Sequence, residues 1–274
     1  MINVENLSFK YRGSKRDVLK HLSLSLSENQ ICGLLGKNGV GKSTLLYLIS
    51  GLLKPDMGSV KVDGMLSIKR SPEFLKDVFL CPEEFFLPNT TMSEYVKITA
   101  PFYPRFSEIV LNECLKEFDL PENIKLNELS MGQKKKAFMS FAIATGTRYL
   151  LMDEPTNGLD IPSKAQFRRV ISRNMTDERT IIISTHQVHD IESLLDHVVI
   201  INQSRVLLNS SIADISRRYA FRYLSPQEMD ANVLYAEPSL QGNAVIMPRG
   251  EGEETQVDLE LLFNATINGK ISHQ

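Results

Sequence analysis

Gln30-Ile31-Cys32-Gly33-Leu34-Leu35-Gly36-Lys37-Asn38-Gly39-Val40-Gly41-Lys42-Ser43-Thr44 is the stretch on which the reading of this chain turns. Its last nine residues fit the phosphate-loop pattern G-x-x-x-x-G-K-[ST], with Gly36 and Gly41 as the two required glycines. The six residues before them read as a buried strand. Leu45 to Ser50 after them carries a helical apolar face and stops at Gly51, a residue suited to the position just past a helix. Glycine is needed because the backbone must curl until successive N–H groups point inward at phosphate oxygens. The helix that follows adds its positive dipole end; Lys42 is expected to reach the β- and γ-phosphates, and the Ser43 hydroxyl to hold Mg²⁺. A glycine-rich turn before an ordinary helix would not need the Lys42-Ser43 pair, so a nucleoside triphosphate is the expected ligand.

The rest of the chain limits the alternatives. At 274 residues it can hold one large domain and a small appendage. With 42% apolar residues, 23% charged residues and a formal net charge of −2, it lacks the basic balance of a non-specific nucleic-acid binder, and no nucleic acid is expected. Cys32, Cys81 and Cys114 are odd in number and have no metal-like spacing; they read as reduced core residues in a cytosolic protein. No apolar run approaches the ~18 residues of a membrane span, and Met1 to Asn6 does not read as a signal peptide. Any action at a membrane is therefore expected to pass through a partner.

Alternating apolar residues (Leu7, Phe9 and Tyr11, then Leu22, Leu24 and Leu26) predict half-buried antiparallel strands at the N-terminus, and Ser59 to Asp63 a further short strand. From Pro82 to Thr147 the texture is helical. Thr91 to Glu94 reads as a capping box, Ser107 to Asp119 has an apolar stripe, and a third helix is expected from about Ser130 to Gly146. Apolar strands return at Tyr149–Asp153, Thr180–Ser184 and Val198–Ile201, with helices between them, one with Pro162 in its first turn and one across Gln187 to Leu195. Alternation of continuous apolar strands with helices predicts an α/β fold around a parallel sheet. The last 65 residues or so are less regular and read as a small separate lobe that carries no recognisable chemistry.

Tyr149 to Asp153 ends in two acids followed by Pro155. An aspartate at the carboxyl end of a strand can approach Mg²⁺, the Walker B role, and Glu154 one residue on can polarise a water for in-line attack on a γ-phosphate. Two solvated acids capping a strand is the bland alternative, disfavoured by the phosphate loop upstream.

Leu129-Ser130-Met131-Gly132-Gln133 before a helix, Asn157-Gly158-Leu159-Asp160, and His186 after the strand 181–185 complete a set that closely resembles an ATP-binding cassette (ABC) ATPase over residues 1 to about 210. The resemblance implies a P-loop NTPase fold: a parallel-sheet core, an N-terminal antiparallel β subdomain, a helical insert at about 83–147, and residues 211–274 as an accessory lobe. It implies that Tyr11 stacks on adenine; that Gly36, Asn38, Gly39, Gly41, Lys42, Ser43 and Thr44 hold phosphates and metal; and that Asp153 supports Mg²⁺. Glu154 resembles the catalytic base, and His186 the switch histidine that contacts the γ-phosphate. His189 has no such counterpart and reads as a surface helix residue. Ser130, Gly132 and Gln133 belong to the signature motif, whose helix N-terminus meets the γ-phosphate bound to the other subunit, so that two head-to-tail cassettes enclose two ATP molecules. Asp160 falls in the loop that crosses that interface.

Two positions depart from the family pattern. Met131 stands where glycine is commonest, and Glu83 in Cys81-Pro82-Glu83 stands where glutamine is usual. A carboxylate also suits Mg²⁺, so Glu83 is expected to face the metal, with Glu84 or water as substitutes. The aromatic insert (Phe85-Phe86-Leu87-Pro88, Tyr95, Phe102-Tyr103-Pro104) reads both as the insert's small core, ring by ring, and as the region where a transmembrane partner docks. The leading expectation is the ATP-hydrolysing subunit of a membrane transporter, similar to drug- and lipid-exporter types. It would lie in the cytoplasm at the inner face of the membrane, bound to a separate permease as a homodimer or heterodimer of cassettes. A soluble cassette acting in cofactor assembly or on nucleic acid is the alternative. The spacer between Lys42 and Asp153 shows no sustained heptads, which argues against chromosome-maintenance relatives. A GTP switch is set aside because the guanine-reading N-K-x-D motif is absent.

Overall fold

The computed structural model describes residues 1–121, 124–250 and 252–271. Alternating side chains at the N-terminus form β1 (Ile2–Phe9) and β2 (Leu19–Leu26), antiparallel with Ile2 opposite Leu26 and Val4 opposite Leu24. Next come β3 (Ile31–Leu35), α1 (Lys42–Ile49), β4 (Met57–Val62), β5 (Met65–Leu66), α2 (Pro72–Leu75) and β6 (Val78–Cys81). The helical stretch holds α3 (Met92–Thr99), α4 (Glu108–Glu117) and α5 (Met131–Ala144). It is followed by β7 (Tyr149–Asp153), α6 (Ile161–Arg173), β8 (Thr180–Thr185), β9 (His197–Asn202) and β10 (Arg205–Ser211). Last come α7 (Ile212–Arg218), β11 (Tyr219–Leu224), β12 (Tyr235–Ser239), β13 (Gly242–Pro248) and α8 (Leu259–Ile267).

Six strands form the central sheet in the order β10-β9-β3-β8-β7-β6. All neighbours in it are parallel except the edge pair β10 and β9. Successive residues of its strands point to opposite faces, and both faces are buried, which is why these strands are apolar throughout. Cys32, Leu34, Leu151, Ile182 and Val199 face α1 and the antiparallel sheet β2-β1-β4-β5. Ile31, Leu35, Leu150, Met152, Ile181 and Ile183 face α5, α6 and the C-terminal lobe. Each fully buried large apolar side chain contributes about 1.5–3 kcal/mol, so these two layers hold the strands in register.

The capping box at Thr91 is present: its hydroxyl accepts from Glu94 N, and the Glu94 carboxylate accepts from Thr91 N. Arg179, buried at the seam of two helix ends, donates to the carbonyls of Ile143 in α5 and Asn174 after α6, satisfying groups the helices leave open. Burial lowers its pKa to about 10. Cys32, Cys81 and Cys114 are free and buried, and desolvation pushes each thiol up to about 12. In the insert, Phe85, Tyr95, Tyr103 and Phe106 pack on Phe138 and Phe141, whereas Phe86 and Phe102 stand exposed.

Three expectations need correction. The helix expected across Gln187 to Leu195 is instead two 3-10 turns, Val188–Asp190 and Glu192–Leu194. His189 therefore sits on a turn rather than a surface helix. Tyr11 lies past the end of β1, which stops at Phe9. The C-terminal residues form an ordered three-stranded sheet, β11-β13-β12, backed by α8. Ile246, Leu262 and Ala265 of that lobe join the same apolar cluster as Val198 and Ile200 of the central sheet. Its interior is thus continuous with the main core. Periodicity was weak there because its strands are half exposed.

The lobe is also clasped by charge. His189, 72% exposed, bridges Glu192 at 3.2 Å and Glu260 of α8 at 3.1 Å. The hydrogen bond to Glu192 and the charges of Glu192, Glu260 and Asp258 raise its pKa above the ordinary 6.5. Arg222, which lines a cleft together with His189 and Glu192, is engaged by Glu253. A histidine with a raised folded-state pKa adds stability that is fully present below 6.5 and lost as pH rises through the folded value. Amide exchange across α8, corrected for intrinsic rates, is therefore expected to quicken between pH 6 and pH 8. His189→Ala should exchange at the faster rate at both pH values; an unchanged pH dependence in that variant would exclude the clasp.

Candidate nucleotide site

In an open parallel sheet, ligands gather at the carboxyl ends of the strands. Here the register sets Leu35 of β3 beside Thr185 of β8, and Ser184 beside Asp153 of β7. The loop 36–41, His186 and Glu154 consequently leave the sheet side by side. Gly36 and Gly41 are dictated by space: a Cβ on Gly36 would stand 2.8 Å from the Ile201 carbonyl oxygen. One on Gly41, at φ +104°, would stand 2.8 Å from Leu19. The loop delivers Lys42 as the first residue of α1.

Lys42 is buried, donates to the Gly36 carbonyl at 2.8 Å, and lies 3.4 Å from Glu154 Oε1. Glu154 is buried as well. Its Oε1 lies 2.9 Å from His186 Nδ1, and its Oε2 accepts from Thr185 Oγ1 at 3.2 Å. Asp153 accepts a hydrogen bond from the Ser184 hydroxyl, and the Ser43 hydroxyl also favours its charged form. Burial raises its carboxyl above the usual range, and the two hydroxyls partly offset the rise. Lys42, Ser43, Asp153, Glu154 and His186 therefore form one cluster.

Glu154 is held in an unfavourable conformation. Its φ of +44° is left-handed, and Pro155 follows it. Such a conformation costs on the order of 1–3 kcal/mol in a residue other than glycine. Glu154 N donates to Ser184 O at 3.0 Å, while its carbonyl accepts from Asn157 N at 3.2 Å and from Lys135 Nζ at 2.7 Å. Backbone strain overdetermined in this way is characteristic of functional positions.

The remaining residues singled out in the sequence sit around this cluster. The Tyr11 hydroxyl is 3.1 Å from Thr44 Oγ1, and its ring meets Phe9 edge-on at 5.0 Å. Asn38 and Gly39 are exposed at the loop tip. Glu83 turns to Asn157, accepting from its side-chain amide at 2.7 Å. Ser130 is the N-cap of α5 in a capping box with Gln133, and Gly132 has open space where a Cβ would go. Asp160 is the N-cap of α6, accepting from Ser163 N at 2.9 Å; its hydrogen bonds with Ser163 hold its carboxyl below the usual range. Among the described residues, none of Ser130, Gly132, Gln133 and Asp160 shares a hydrogen bond or ion pair with the Lys42–Glu154 cluster. Ser184 and Thr185, which orient the two acids, and Lys135 carried no assigned role in the sequence. The first two are legible as the polar end of an apolar strand, but a buried lysine within Lys134-Lys135-Lys136 has no distinguishing signal.

Known proteins share the sequence pattern and the fold. The sequence profile of the family described as "ABC transporter" matches residues 19–157. The chain is 27% identical to the ABC transporter ATP-binding protein YtrB of Bacillus subtilis (strain 168), over 98% of this chain and 99% of that one. It is 32% identical to the bacitracin transport ATP-binding protein BcrA of Bacillus licheniformis, over 81% of this chain and 74% of that protein. The dimeric post-hydrolysis structure of the cassette MJ0796 bound to ADP and Pi superposes with a TM-score of 0.67 at 25% identity, covering 77% of this chain and 98% of the other. Profile, relatives and fold agree, and this chain belongs to the ABC transporter family as an ATP-binding and ATP-hydrolysing cassette.

Proposed function

We propose that this cassette pairs with a second cassette around two ATP molecules and drives a separate membrane-spanning permease, at the inner face of the cell membrane, in an export-type transporter. The observation that carries the reading is the Lys42–Glu154–His186 cluster, in which an acid, a cation and an imidazole converge where the loop would place a γ-phosphate. In this reading Lys42 neutralises charge on the β- and γ-phosphates, and the amides of residues 36–44 cradle them. Glu154 takes the proton of the attacking water, with Thr185 and His186 fixing its carboxylate and His186 directing the γ-phosphate.

Ser43 and Asp153 would hold Mg²⁺. Their donor set fits: a hydroxyl beside a buried carboxylate leaves the remaining positions to phosphate oxygens and water, as this ion prefers. The ion would supply charge neutralisation across the β- and γ-phosphates. Glu83, tied to Asn157, faces the metal only if that contact is exchanged. Tyr11 stacks on adenine once its hydroxyl leaves Thr44. Ser130, Gly132 and Gln133 present the N-terminus of α5 to the partner's γ-phosphate, with Asp160 in the loop between the two sites.

Support for the permease comes from a cleft of about 640 Å³ between the central sheet and the insert, walled by Leu52, Leu75, Phe79, Tyr103 and the exposed Phe102. Support for export comes from a relative named for SkfA peptide export. Tagged Glu154→Gln protein with ATP, recovered from native membranes, is expected to bring down a polytopic membrane protein. Phe102→Asp should lose it while keeping ATP hydrolysis. Recovery of soluble partners alone would move the cassette to assembly or nucleic-acid work.

A further inference from the structure

We propose that Lys135 is a positioning residue that ties the signature helix α5 to the turn carrying Glu154, so that engagement at Ser130–Gln133 sets the catalytic carboxylate. The proposal rests on the roles given above to Glu154 and to the N-terminus of α5.

Three lysines follow one another at 134–136, and they differ in what they touch. Lys136 reaches the side chain of Gln166 at 3.1 Å, and Lys134 is half-buried. Lys135 alone is buried. Its ammonium donates to the Glu154 carbonyl at 2.7 Å and to the Asn157 carbonyl at 2.9 Å. Those carbonyls belong to the first and last residues of one turn, closed by the Asn157 N to Glu154 O bond of 3.2 Å. Packing does not account for a lysine here. Methionine would fill the same volume without the cost of desolvating a charge, a cost visible in the lowering of the lysine's pKa by burial. A cation shared by two carbonyls of one turn acts instead as a strut.

Each end of the strut is placed to matter. Lys135 lies about one helical turn past Ser130, the N-cap of α5, so a shift of the helix end carries the ammonium with it. The turn at the other end holds Glu154 in its left-handed conformation and runs on through Gly158 to Asp160. Through the Asn157 side chain it also holds Glu83. Signature helix, Walker B turn and the Glu83 loop thus meet around one ammonium. A displacement of α5 moves both carbonyls together and re-aims Glu154 against Lys42 and His186. Contact with ATP on the partner cassette is in this way read at the protomer's own hydrolytic site.

Lys135→Met removes the cation and keeps the length. Steady-state ATPase assays should show kcat lower by about tenfold or more, with KM and fluorescent-nucleotide affinity within about twofold. Lys135→Arg, which restores charge and donors, should recover kcat to within about threefold. A merely structural lysine would lower thermal stability without this split between kcat and KM. The proposal is overturned if kcat of Lys135→Met stays within about twofold of the parent, or if kcat and affinity fall together with no rescue by arginine. Should Lys135→Met not fold, Lys135→Gln is held to the same criteria. Glu154→Gln run alongside separates the two claims. If it turns over normally, the role of Glu154 falls and this proposal with it. If it is inactive while Lys135→Met is normal, only the role of Lys135 falls.

Discussion

Glu154→Gln is expected to leave ATP binding intact while slowing turnover by ~10²–10⁴-fold, the usual worth of a positioned general base. The carboxylate is buried, 2.9 Å from His186 and 3.4 Å from Lys42, and its second oxygen is held by Thr185. Glutamine keeps the shape and can still accept from Thr185, so the fold and the phosphate loop are undisturbed. What it removes is the capacity to take a proton from water. The amide also gives up the ion pair with Lys42, which frees that ammonium for phosphate and favours nucleotide retention. Phosphate release under saturating ATP measures the loss, and turnover at the parental rate would remove Glu154 from the mechanism.

Lys42→Ala is expected to act one step earlier, on binding itself. Hydrogen bonds to charged groups contribute about 1.5–3 kcal/mol each, so losing one phosphate contact should weaken ATP affinity by roughly 10–150-fold. Removal also strands Glu154, whose buried carboxylate keeps His186 and Thr185 but loses its cationic neighbour. Turnover should therefore fall even at saturating nucleotide. A titration with fluorescent ATP analogue reads the first effect, and unchanged affinity would contradict the role given to the phosphate loop.

The strands that carry the site are legible in the sequence because both their faces are buried. Ile31–Leu35 is apolar throughout and runs straight into the phosphate loop, whereas Tyr149–Asp153 and Thr180–Thr185 are apolar at nearly every position until polar residues at their carboxyl ends, where the chemistry sits. The phosphate loop is legible for a steric reason, since Gly36 and Gly41 stand where a Cβ would strike backbone or core. The turns Val188–Asp190 and Glu192–Leu194 resemble one helix in the sequence because Val188, Ile191 and Leu195 keep a helical spacing. Their burial comes from tertiary packing, which periodicity does not distinguish from helix. Partnerships across the fold were not legible at all. Glu83 with Asn157 and Lys135 with the Glu154 turn join residues 74 and 19 positions apart, and nothing in their local sequence marks either.

Light scattering of the Glu154→Gln protein with and without ATP tests the account most directly, because it asks whether this one chain supplies both halves of a nucleotide-bridged interface. ATP should double the particle mass, and the same experiment in the Lys42→Ala, Glu154→Gln double variant should leave a monomer. A Glu154→Gln protein that binds ATP fully and stays monomeric at every concentration would contradict a homodimer in which Ser130, Gly132 and Gln133 of each copy close the ATP site of the other.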